Sequence, residues 1–425
     1  MERPLTKHIR DTQSPLSLIE YEKVGGYMAV RKALKMTPHE ITNEVKASNL
    51  LGRGGAGFPT GIKWSLIPKV ENVPQPRYLI TNADEMEPGT FKDRYLLEGN
   101  PHQLIAGMII ASYAIQAEKA YIFLRWAYKK AETLIQKAID EAYKSGYLGK
   151  NIIGTGYNLD LHLHTSAGRY ICGEETALLN SLEGKRAIPR AKPPYPATSG
   201  LFGKPTVVNN VETLCWIPHI VENGADWFKK LSLTGEGGTK LYGVSGKVKK
   251  PGLWELPLGI TMGELIEEHA GGMADGYKFR GALPGGASTD FLIDSHLDVK
   301  LDFSSVQKAG SRLGTGTMIV LDDKTCPVAF IHNLEKFFAL ESCGWCTPCR
   351  EGLPWVEKIL QSFEEGKAKP SDIDILKFHT HYLGPGNTFC AHAPGAMEPL
   401  QSGLKYFHDD FMRHINEKSC PWREL

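Results

Sequence analysis

The spacing of apolar residues changes repeatedly in the first half of the chain, which predicts alternating strands and helices. Ala120–Leu124 is an unbroken apolar segment typical of a buried strand, whereas Leu159–His164 alternates as a half-exposed strand does. Residues 131–142 have helical spacing, and Pro101 after Asn100 predicts a capped helix start. This order favours an α/β layer with a largely parallel sheet.

Two further patterns follow the glycine-rich segment 234–238. Short strand-like segments around the helix-like segment Met262–Ala270 predict a small β-grasp (ubiquitin-like) domain over 240–325. The remainder, 326–425, is predicted to form a four-helix bundle. The α/β layer at the start of the chain would then form a first domain over 1–233. The four helical segments are Ile331–Ser342, Pro354–Glu365, Ser371–Tyr382 and Met397–Asn416.

Composition limits the classes of function. The 425 residues carry a net charge of +1, which gives no reason to expect nucleic acid or an anionic membrane surface as a partner. Eight cysteines are too few for a disulfide scaffold, and we find no secretory signal, so we expect a reducing cytoplasmic compartment. The apolar stretches are too short to cross a bilayer, so any membrane association would run through a partner.

The most specific chemical signal is a run of three thiols. Cys343, Cys346 and Cys349 follow the spacing C-x2-C-x2-C, and Cys390 is a remote fourth candidate. This arrangement favours a [4Fe–4S] cluster over zinc, whose structural sites usually pair their cysteines, although zinc stays open. Ordinary buried cysteines are a weaker interpretation, because glycine and proline between the thiols argue against a regular helical face.

A glycine-rich segment near the N-terminus is a candidate phosphate loop. Residues 52–58 match G-x-G-x-x-G, but the preceding segment 41–51 looks helical rather than strand-like, so a plain glycine loop is the alternative. Closely spaced glycines leave backbone amides free to approach a phosphate or a ring. Side chains that could assist are the cations Arg53 and Lys63 and the flat rings of Phe58 and Trp64.

Three more segments combine polar chemistry with element ends. Asn82–Gly89 follows a short predicted strand, 78–81, and its carboxylates could accept ribose or ribityl hydroxyls, or could form a solvated acidic turn. Glu174 and Glu175 stand before the predicted helix 176–182, where helix capping would also explain them. The remaining candidates are the stiff segment Lys192–Pro196 and the pair Asn209 and Asn210, which could cap a helix or hydrogen-bond a heterocycle.

Together these segments resemble the flavin-bearing, NADH-binding subunit of respiratory complex I, known in bacteria as the F subunit, and its mitochondrial counterpart. The similarity extends from about residue 20 to 420. The strings that carry it are GRGGAGFPTGIKW (52–64), NADEMEPGTFKDR (82–94), AGRYICGEETALLNSLEG (167–184), KPPYPA (192–197), VNNVETL (208–214), AGSRLGTG (309–316), ESCGWCTPCREGLPW (341–355) and TFCAHAPGAMEPL (388–400).

The resemblance implies a reaction and its cofactors. Hydride would pass from NADH to FMN, and electrons would leave singly through a [4Fe–4S] cluster toward quinone. NAD-reducing hydrogenases and NAD-linked formate dehydrogenases carry a related diaphorase subunit, often fused to further iron–sulfur domains. We find no such domain in these residues, which favours the complex I subunit and keeps the diaphorase as the alternative.

The resemblance also assigns site residues. No side chain would act as catalytic acid, base or nucleophile, while Glu87 and Glu175 would position NADH. The implied FMN contacts are Gly52, Gly54, Lys63, Asn82, Asp84, Glu85, Tyr170, Glu174, Glu175, Asn209, Asn210 and Thr213. The implied NADH contacts are Phe58, Glu87, Glu175, Lys192 and Tyr195, the last standing where many relatives have Phe. The implied cluster ligands are Cys343, Cys346, Cys349 and Cys390.

The other cysteines match no ligand position in the family. We interpret Cys172 as adjacent to the site, and Cys215, Cys326 and Cys420 as packing or surface thiols. The implied partners are a thioredoxin-like [2Fe–2S] protein (the E subunit of complex I) and a larger iron–sulfur protein (the G subunit). The implied location is the peripheral arm of a complex on the inner face of the cytoplasmic membrane. A ferredoxin-like carrier without a substrate, and a scaffold with a structural cluster, are the hypotheses from other classes.

Overall fold

The computed structural model describes residues 2–12, 14–68 and 75–423. The described chain divides into two compact units. The first unit comprises the residues up to Met86 together with Phe91–Leu241 and Glu255–Gly259. The second comprises Glu87–Thr90, Tyr242–Trp254 and the chain from Ile260 onward.

A four-stranded parallel sheet forms the centre of the first unit. Its strands are β1 (Tyr78–Ala83), β2 (Lys119–Leu124), β3 (Asp160–Thr165) and β4 (Thr206–Asn210), in the spatial order β3-β2-β1-β4. The predicted parallel sheet is confirmed. The polar string that contains Asn209 and Asn210 is also the end of a strand, which the sequence pattern did not predict.

Helices surround this sheet. The helix α6 (Pro101–Ala114) is buried on nearly every face. Its residue 107 must be glycine, because a Cβ there would lie 2.0 Å from the carbonyl oxygen of Leu214. The helices are α1 (Leu18–Lys23), α2 (Met28–Ala33), α3 (Pro38–Ala47), α4 (Thr60–Ser65), α5 (Lys92–Gly99), α6 (Pro101–Ala114), α7 (Lys129–Lys144), α8 (Glu175–Leu182), α9 (Pro196–Ser199), α10 (Val211–Asn223) and α11 (Ala225–Lys230).

The predicted helix at Pro101 is confirmed, but its predicted cap is not. Asn100 stands before α6, yet its side-chain amide donates to the Oε1 of Gln103 at 3.4 Å instead of accepting from the helix amides. Proline at the first helical position supplies the preset φ and lacks an N–H that would need a partner. The helix therefore starts where predicted without a side-chain cap.

A second sheet lies mostly in the second unit. Its strands are β5 (Thr239–Ser245), β6 (Gly252–Pro257), β7 (Phe279–Leu283) and β8 (Thr317–Asp322), in the order β6-β5-β8-β7. β5 pairs with β8 in parallel, and β7 pairs with β8 antiparallel. Two short helices accompany it, α12 (Met262–Glu264), which continues as a π-helical turn over Leu265–His269, and α13 (Phe303–Lys308).

The C-terminal part of the second unit is helical, as predicted. Its helices are α14 (Pro327–Glu341), α15 (Thr347–Glu364), α16 (Pro370–Tyr382), α17 (His392–Tyr406) and α18 (His408–Glu417). The single helix predicted over Met397–Asn416 is wrong, because the chain breaks at Phe407 into two helices. The helix predicted from Pro354 starts seven residues earlier, with Pro348 in its first turn, where proline is tolerated.

No helix among the described residues is both long enough and apolar enough to cross a bilayer.

Candidate functional site

The carboxyl ends of β1 and β4 lie side by side at the point where the strand order reverses. From β1 the chain proceeds to β2 and then to β3 on one side, whereas β4 adds to the other side of β1. Asn82 and Asn210 are paired across the two strand ends. Open parallel sheets bind ligands in the crevice at such a reversal. The polar segments that contain Asn82 and Asn210 therefore meet at the place where this topology favours ligand binding.

The glycine loop lies against the start of α10, next to this crevice. The backbone N–H of Arg53 donates to the Oγ1 of Thr213 at 2.8 Å. A Cβ at Gly54 would lie 3.0 Å from the Cβ of Asn210, so a larger residue would crowd this approach. Asn210 caps α10 by accepting the Glu212 N–H at 3.0 Å. Backbone amides and a helix N-terminus thus adjoin, as in anion-binding sites.

The acidic segment after β1 is held by hydrogen bonds to two neighbouring loops. Asn82 donates its side-chain amide to the carbonyl of Gly173 at 2.8 Å, which fixes the 3-10 turn Tyr170–Gly173 beside the strand end. Asp84 accepts the Ser166 hydroxyl at 2.7 Å, immediately after β3. The predicted residues Asn82, Asp84 and Tyr170 are therefore brought to one edge of the sheet.

Glu85 has a buried carboxylate that is engaged within the protein. It accepts the backbone N–H groups of Asp93 at 2.8 Å and Arg94 at 3.1 Å, and the Tyr128 hydroxyl at 2.9 Å. Burial, with the nearby Asp93 carboxylate, raises the pKa of Glu85 to about 7. Its side chain therefore fixes the start of α5 relative to β1.

Glu175 lies between two lysines at the entry of α8. The Nζ of Lys63 is 3.0 Å from one carboxylate oxygen, and the Nζ of Lys192 is 3.3 Å from the other. Burial alone would raise the pKa of Glu175, but the two ammonium groups outweigh it and lower that pKa. Glu174 caps α8 by accepting the amides of Thr176 and Ala177, both at 2.8 Å. This confirms the capping alternative for Glu174.

Two side chains predicted to serve a ligand face the interior instead. The Trp64 ring is 2% exposed, and its Nε1 donates to the Oδ1 of Asn209 at 2.9 Å, so it offers no free face for stacking. The Arg53 side chain is fully buried and donates to the carbonyl of Gly237 at 2.9 Å. By contrast, Phe58 is 46% exposed and Tyr195 is 61% exposed.

Sequence reasoning missed a buried ionic network behind the glycine loop. The Nζ of Lys92 is 2.7 Å from Asp93 and 2.9 Å from Glu212, and the Nζ of Lys240 is 3.4 Å from the same Glu212 oxygen. Asn210 donates to Asp93 at 2.6 Å, which connects the network to the crevice. The only signal in the sequence was the presence of charged residues in the strings FKDR and VNNVETL.

The pKa values of the two lysines in this network shift in opposite directions. Burial opposes the charge of Lys92, but Asp93 and Glu212 outweigh it and raise its pKa. For Lys240 burial dominates, although Glu212 favours the charged form, and its pKa falls to about 7. We attribute the difference to the carboxylate count, since Lys92 contacts two carboxylates and Lys240 contacts one.

In the second unit, the cysteine run and the segment of Cys390 lie together. The backbone N–H of Phe389, next to Cys390, donates to the Sγ of Cys346 at 3.4 Å. The Sγ of Cys349 is 3.2 Å from the Ser342 hydroxyl. The helix α15 begins at Thr347, so Cys346 stands at its N-cap and Cys349 in its first turn. The helix predicted from Pro354 thus begins early enough to include Cys349, while Cys343 and Cys346 precede it.

These cysteines fit an iron–sulfur cluster. Burial, together with the neighbouring Cys343 and Cys346, raises the pKa of Cys349 to about 11. Thiolates this close repel one another unless a cation lies between them, and a metal centre deprotonates its thiols. N–H donors to sulfur and a helix N-terminus also stabilise thiolates. The donor set therefore suits a group that brings positive charge.

Glu87 belongs to the second unit. Its Oε1 accepts the backbone N–H of Ser288 at 2.6 Å, and Gly286 adopts a φ of +104° beside it. A Cβ at Gly286 would lie 2.6 Å from the Cγ of Glu87, so this loop requires glycine.

Comparison with known proteins places the chain in a family. Residues 45–219 match the Nuo51 FMN-binding domain, 241–292 an SLBB domain, and 329–414 the NADH-ubiquinone oxidoreductase-F iron-sulfur binding region. The chain is 57% identical over 415 residues to the F subunit of NADH-quinone oxidoreductase from Escherichia coli, covering 97% of this chain and 93% of that protein. The corresponding protein of Streptomyces coelicolor is 46% identical, with coverage of 99% and 92%.

The chain belongs to the family of NADH-quinone oxidoreductase F subunits. The predicted family is thus confirmed, and with it the oxidoreductase class, an FMN-binding domain and a [4Fe–4S] region. A solved structure of NAD+-reducing [NiFe]-hydrogenase in the H2-reduced state is also similar, at 35% identity and a TM-score of 0.81. That similarity covers 96% of this chain and 68% of the hydrogenase chain.

The buried network gives a test with an internal control. Lys92→Met would leave Asp93 and Glu212 with too little positive charge, and breaking a buried pair costs about 3–5 kcal/mol. We expect the melting temperature of the first unit, followed by release of flavin fluorescence, to fall by several degrees. Lys240→Met should lower it less, because Lys240 contacts one carboxylate and burial already lowers its pKa to about 7, and because Glu212 keeps Lys92 and the Leu241 N–H. Equal losses in the two variants would contradict this account.

Proposed function

We propose that this chain oxidises NADH by hydride transfer to FMN bound in its first unit and passes electrons singly to a [4Fe–4S] cluster in its second unit. The observation that carries the proposal is the glycine loop, which lies against the N-terminus of α10 at the strand reversal. When bound, FMN supplies two-electron acceptance with one-electron release, and the cluster supplies one-electron transfer. The residues of the chain supply binding and orientation, without a catalytic acid or base.

The FMN site would use the residues gathered at the strand ends. The amide of Gly54 and the start of α10 would bind the phosphate, with Lys63 as the nearby cation. Gly52 would contribute to the FMN site through the shape of the loop, because its own N–H donates to the Phe58 carbonyl at 2.9 Å. At the ribityl chain, the Asn82 amide would accept or donate hydrogen bonds, and the Asp84 carboxylate would accept them. The remaining proposed contacts are Glu85, Tyr170, Glu174, Glu175, Asn209, Asn210 and Thr213. Glu85 also accepts the Asp93 N–H, and Asn209 also accepts the Nε1–H of Trp64.

The proposed NADH contacts are Phe58, Glu87, Glu175, Lys192 and Tyr195. The ring of Phe58 and the ring of Tyr195 are accessible for stacking. Lys192 pairs with Glu175 and would meet the negatively charged nucleotide. Glu87 and Glu175 would orient the ribose or nicotinamide amide by accepting hydrogen bonds.

The cluster would be bound by Cys343, Cys346, Cys349 and Cys390. The N–H of Phe389 and the hydroxyl of Ser342 already approach two of these sulfurs. Hydrogen bonds to cluster sulfurs adjust the reduction potential.

The finer domain description is also part of this proposal. We propose an FMN- and NADH-binding α/β domain over 1–233, a β-grasp domain over 240–325 and a helical bundle with the cluster over 326–425. The mixed sheet β6-β5-β8-β7 with its short helix supports the second, and helices α14 to α18 support the third.

Quinone reduction would require partner proteins. We propose a thioredoxin-like [2Fe–2S] protein, the E subunit of complex I, and a larger iron–sulfur protein, the G subunit, as the next carriers. The chain would then lie in a peripheral arm on the inner face of the cytoplasmic membrane and contact the membrane only through that complex. The relatives named above are subunits of NADH-quinone oxidoreductases, which supports this assembly.

The alternative is the diaphorase subunit of an NAD-reducing hydrogenase or an NAD-linked formate dehydrogenase. The structural similarity to the NAD+-reducing hydrogenase supports it. Copurification would separate the two hypotheses, since the alternative predicts a hydrogenase or formate dehydrogenase subunit and no quinone-reducing partner.

Cys346 tests the cluster. Cys346→Ala removes a ligand and should abolish most of the four-iron content, as measured by iron analysis and absorbance, while FMN stays bound in the other unit. The second unit should also lose stability, because metal binding contributes to folding. Cys215→Ser, at a buried thiol of the first unit, should keep its iron. A four-iron cluster of unchanged iron content in Cys346→Ala would refute the ligand assignment.

Phe58 tests the nucleotide platform. Stacking on a base is worth about 1–3 kcal/mol by truncation, so Phe58→Ala should raise the KM for NADH roughly ten- to a hundredfold. Since the ring is half exposed, its removal should leave the melting temperature and FMN content nearly unchanged. Phe202→Ala, at an exposed ring that contacts Tyr78, is the matched control and should keep the normal KM. An unchanged KM in Phe58→Ala would exclude stacking.

A further inference from the structure

Four metal-ligating side chains outside the proposed cluster converge in the helical part of the second unit. The donor atoms of Cys326, Glu364, His414 and Cys420 all lie within 4.8 Å of one another. His414 is fully buried, and the two cysteines are each 5% exposed. We propose that these four residues bind one structural zinc ion, a site independent of FMN, NADH and the cluster.

The distances match a tetrahedral site. The Sγ of Cys326 is 3.4 Å from the Nε2 of His414 and 3.8 Å from the Oε1 of Glu364, and these two atoms are 3.3 Å apart. Zinc bonds of about 2.0–2.3 Å in a tetrahedron place ligand atoms about 3.3–3.8 Å apart. Two sulfurs, a nitrogen and a carboxylate oxygen also form a donor set that zinc accepts.

The histidine has its metal-binding nitrogen turned inward. The Nδ1 of His414 is 2.7 Å from the carbonyl oxygen of Asp410. Since a carbonyl oxygen can only accept, Nδ1 carries a proton and donates it. The lone pair of Nε2 then faces the sulfur and the carboxylate. A backbone carbonyl that fixes the tautomer of a histidine in this way is typical of zinc ligands.

Cys326 stands at the start of α14, where burial raises the pKa of its thiol and a backbone donor opposes that rise. It precedes α14, and its Sγ accepts the backbone N–H of Ala329 at 3.3 Å. The N-terminus of a helix carries partial positive charge, which favours the ionised thiol. This is the form of cysteine that binds a metal.

The backbone brings Cys420 to the same point. A Cβ at Gly366 would lie 1.9 Å from the carbonyl oxygen of Lys418, so the turns after α15 and α18 touch directly. Lys418 adopts a φ of +51°, which reverses the chain after α18. Trp422 then stacks on His414 with ring centroids 6.0 Å apart and limits access of solvent. Glu364 and Cys420 are thereby held at the ends of adjoining elements.

Arg423 approaches one oxygen of Glu364 at 3.8 Å, and the other oxygen faces the remaining donors. A carboxylate oxygen and an imidazole lone pair 3.3 Å apart repel each other unless a proton or a metal lies between them. A proton satisfies one pair of atoms, whereas a zinc ion satisfies all four donors. With four protein ligands the site is closed, as structural zinc sites are, and it would join the ends of α14, α15 and α18.

The test is metal analysis of the full chain, purified anaerobically from a zinc-replete culture, with zinc and iron counted separately. We expect one zinc per chain in addition to the cluster iron, and a zinc-edge X-ray absorption spectrum with two sulfur and two nitrogen or oxygen neighbours. Cys420→Ser should lose most of the zinc and keep its iron. Cys215→Ser, at a buried cysteine far from these residues in the sequence, should keep both.

Several results would overturn the proposal. One is substoichiometric zinc in every wild-type preparation. Another is a zinc signal with four sulfur neighbours that persists in Cys420→Ser, because that zinc would occupy the cluster cysteines. A third is a Cys326–Cys420 disulfide in the anaerobic protein, detected by mass spectrometry of unreduced peptides. The wild-type spectrum decides the question even if Cys420→Ser folds poorly.

Discussion

The fold of the first unit depends on neutralising the charge of one completely buried carboxylate, that of Glu212. Glu212 is 0% exposed, and two ammonium groups share one of its oxygens while the Leu241 N–H donates to the other at 3.0 Å. A charge in such a place destabilises a fold severely unless its partners stay in position. Those partners come from α5 and from Lys240 and Leu241, so the network fixes these residues relative to α10. Through Asn210 it also fixes the crevice where the glycine loop lies.

The same physical problem recurs in each candidate site. At the glycine loop, amides and a helix N-terminus present positive charge that suits a phosphate. At the cysteine run, neighbouring sulfur atoms present lone pairs that suit a metal centre. At Cys326, Glu364, His414 and Cys420, four lone-pair donors converge in the same way. At each site, the protein supplies either hydrogen-bond donors or lone pairs, and a bound anion or metal would supply the complementary charge.

Periodicity predicted the elements that local sequence determines. β2, β3, α7 and α8 lie within two residues of their predicted bounds, because their apolar spacing is regular and their ends carry clear signals. The break at Phe407 and the early start of α15 depend on tertiary packing, which overrides local propensity. The proposed site residues came from a family resemblance, and the structure brings most of those in the first unit to one sheet edge.

The sequence alone could not predict which residues far apart in the chain contact each other. Nothing in FKDR or VNNVETL shows that Lys92 meets Glu212, 120 positions away. Likewise Trp64 looked like a stacking surface until the fold buried it against Asn209. The sequence pattern indicated packing or surface thiols at Cys326 and Cys420 for the same reason, since the turns after α15 and α18 bring them together with Glu364 and His414.

Anaerobic addition of NADH to the purified chain tests the central claim most directly. Flavin absorbance would be followed by stopped flow, and the cluster by electron paramagnetic resonance on freeze-quenched samples. We expect NADH to bleach the flavin and to produce the signal of a reduced [4Fe–4S] cluster. Flavin bleaching without a cluster signal, in protein whose cluster dithionite does reduce, would contradict electron transfer between the two units.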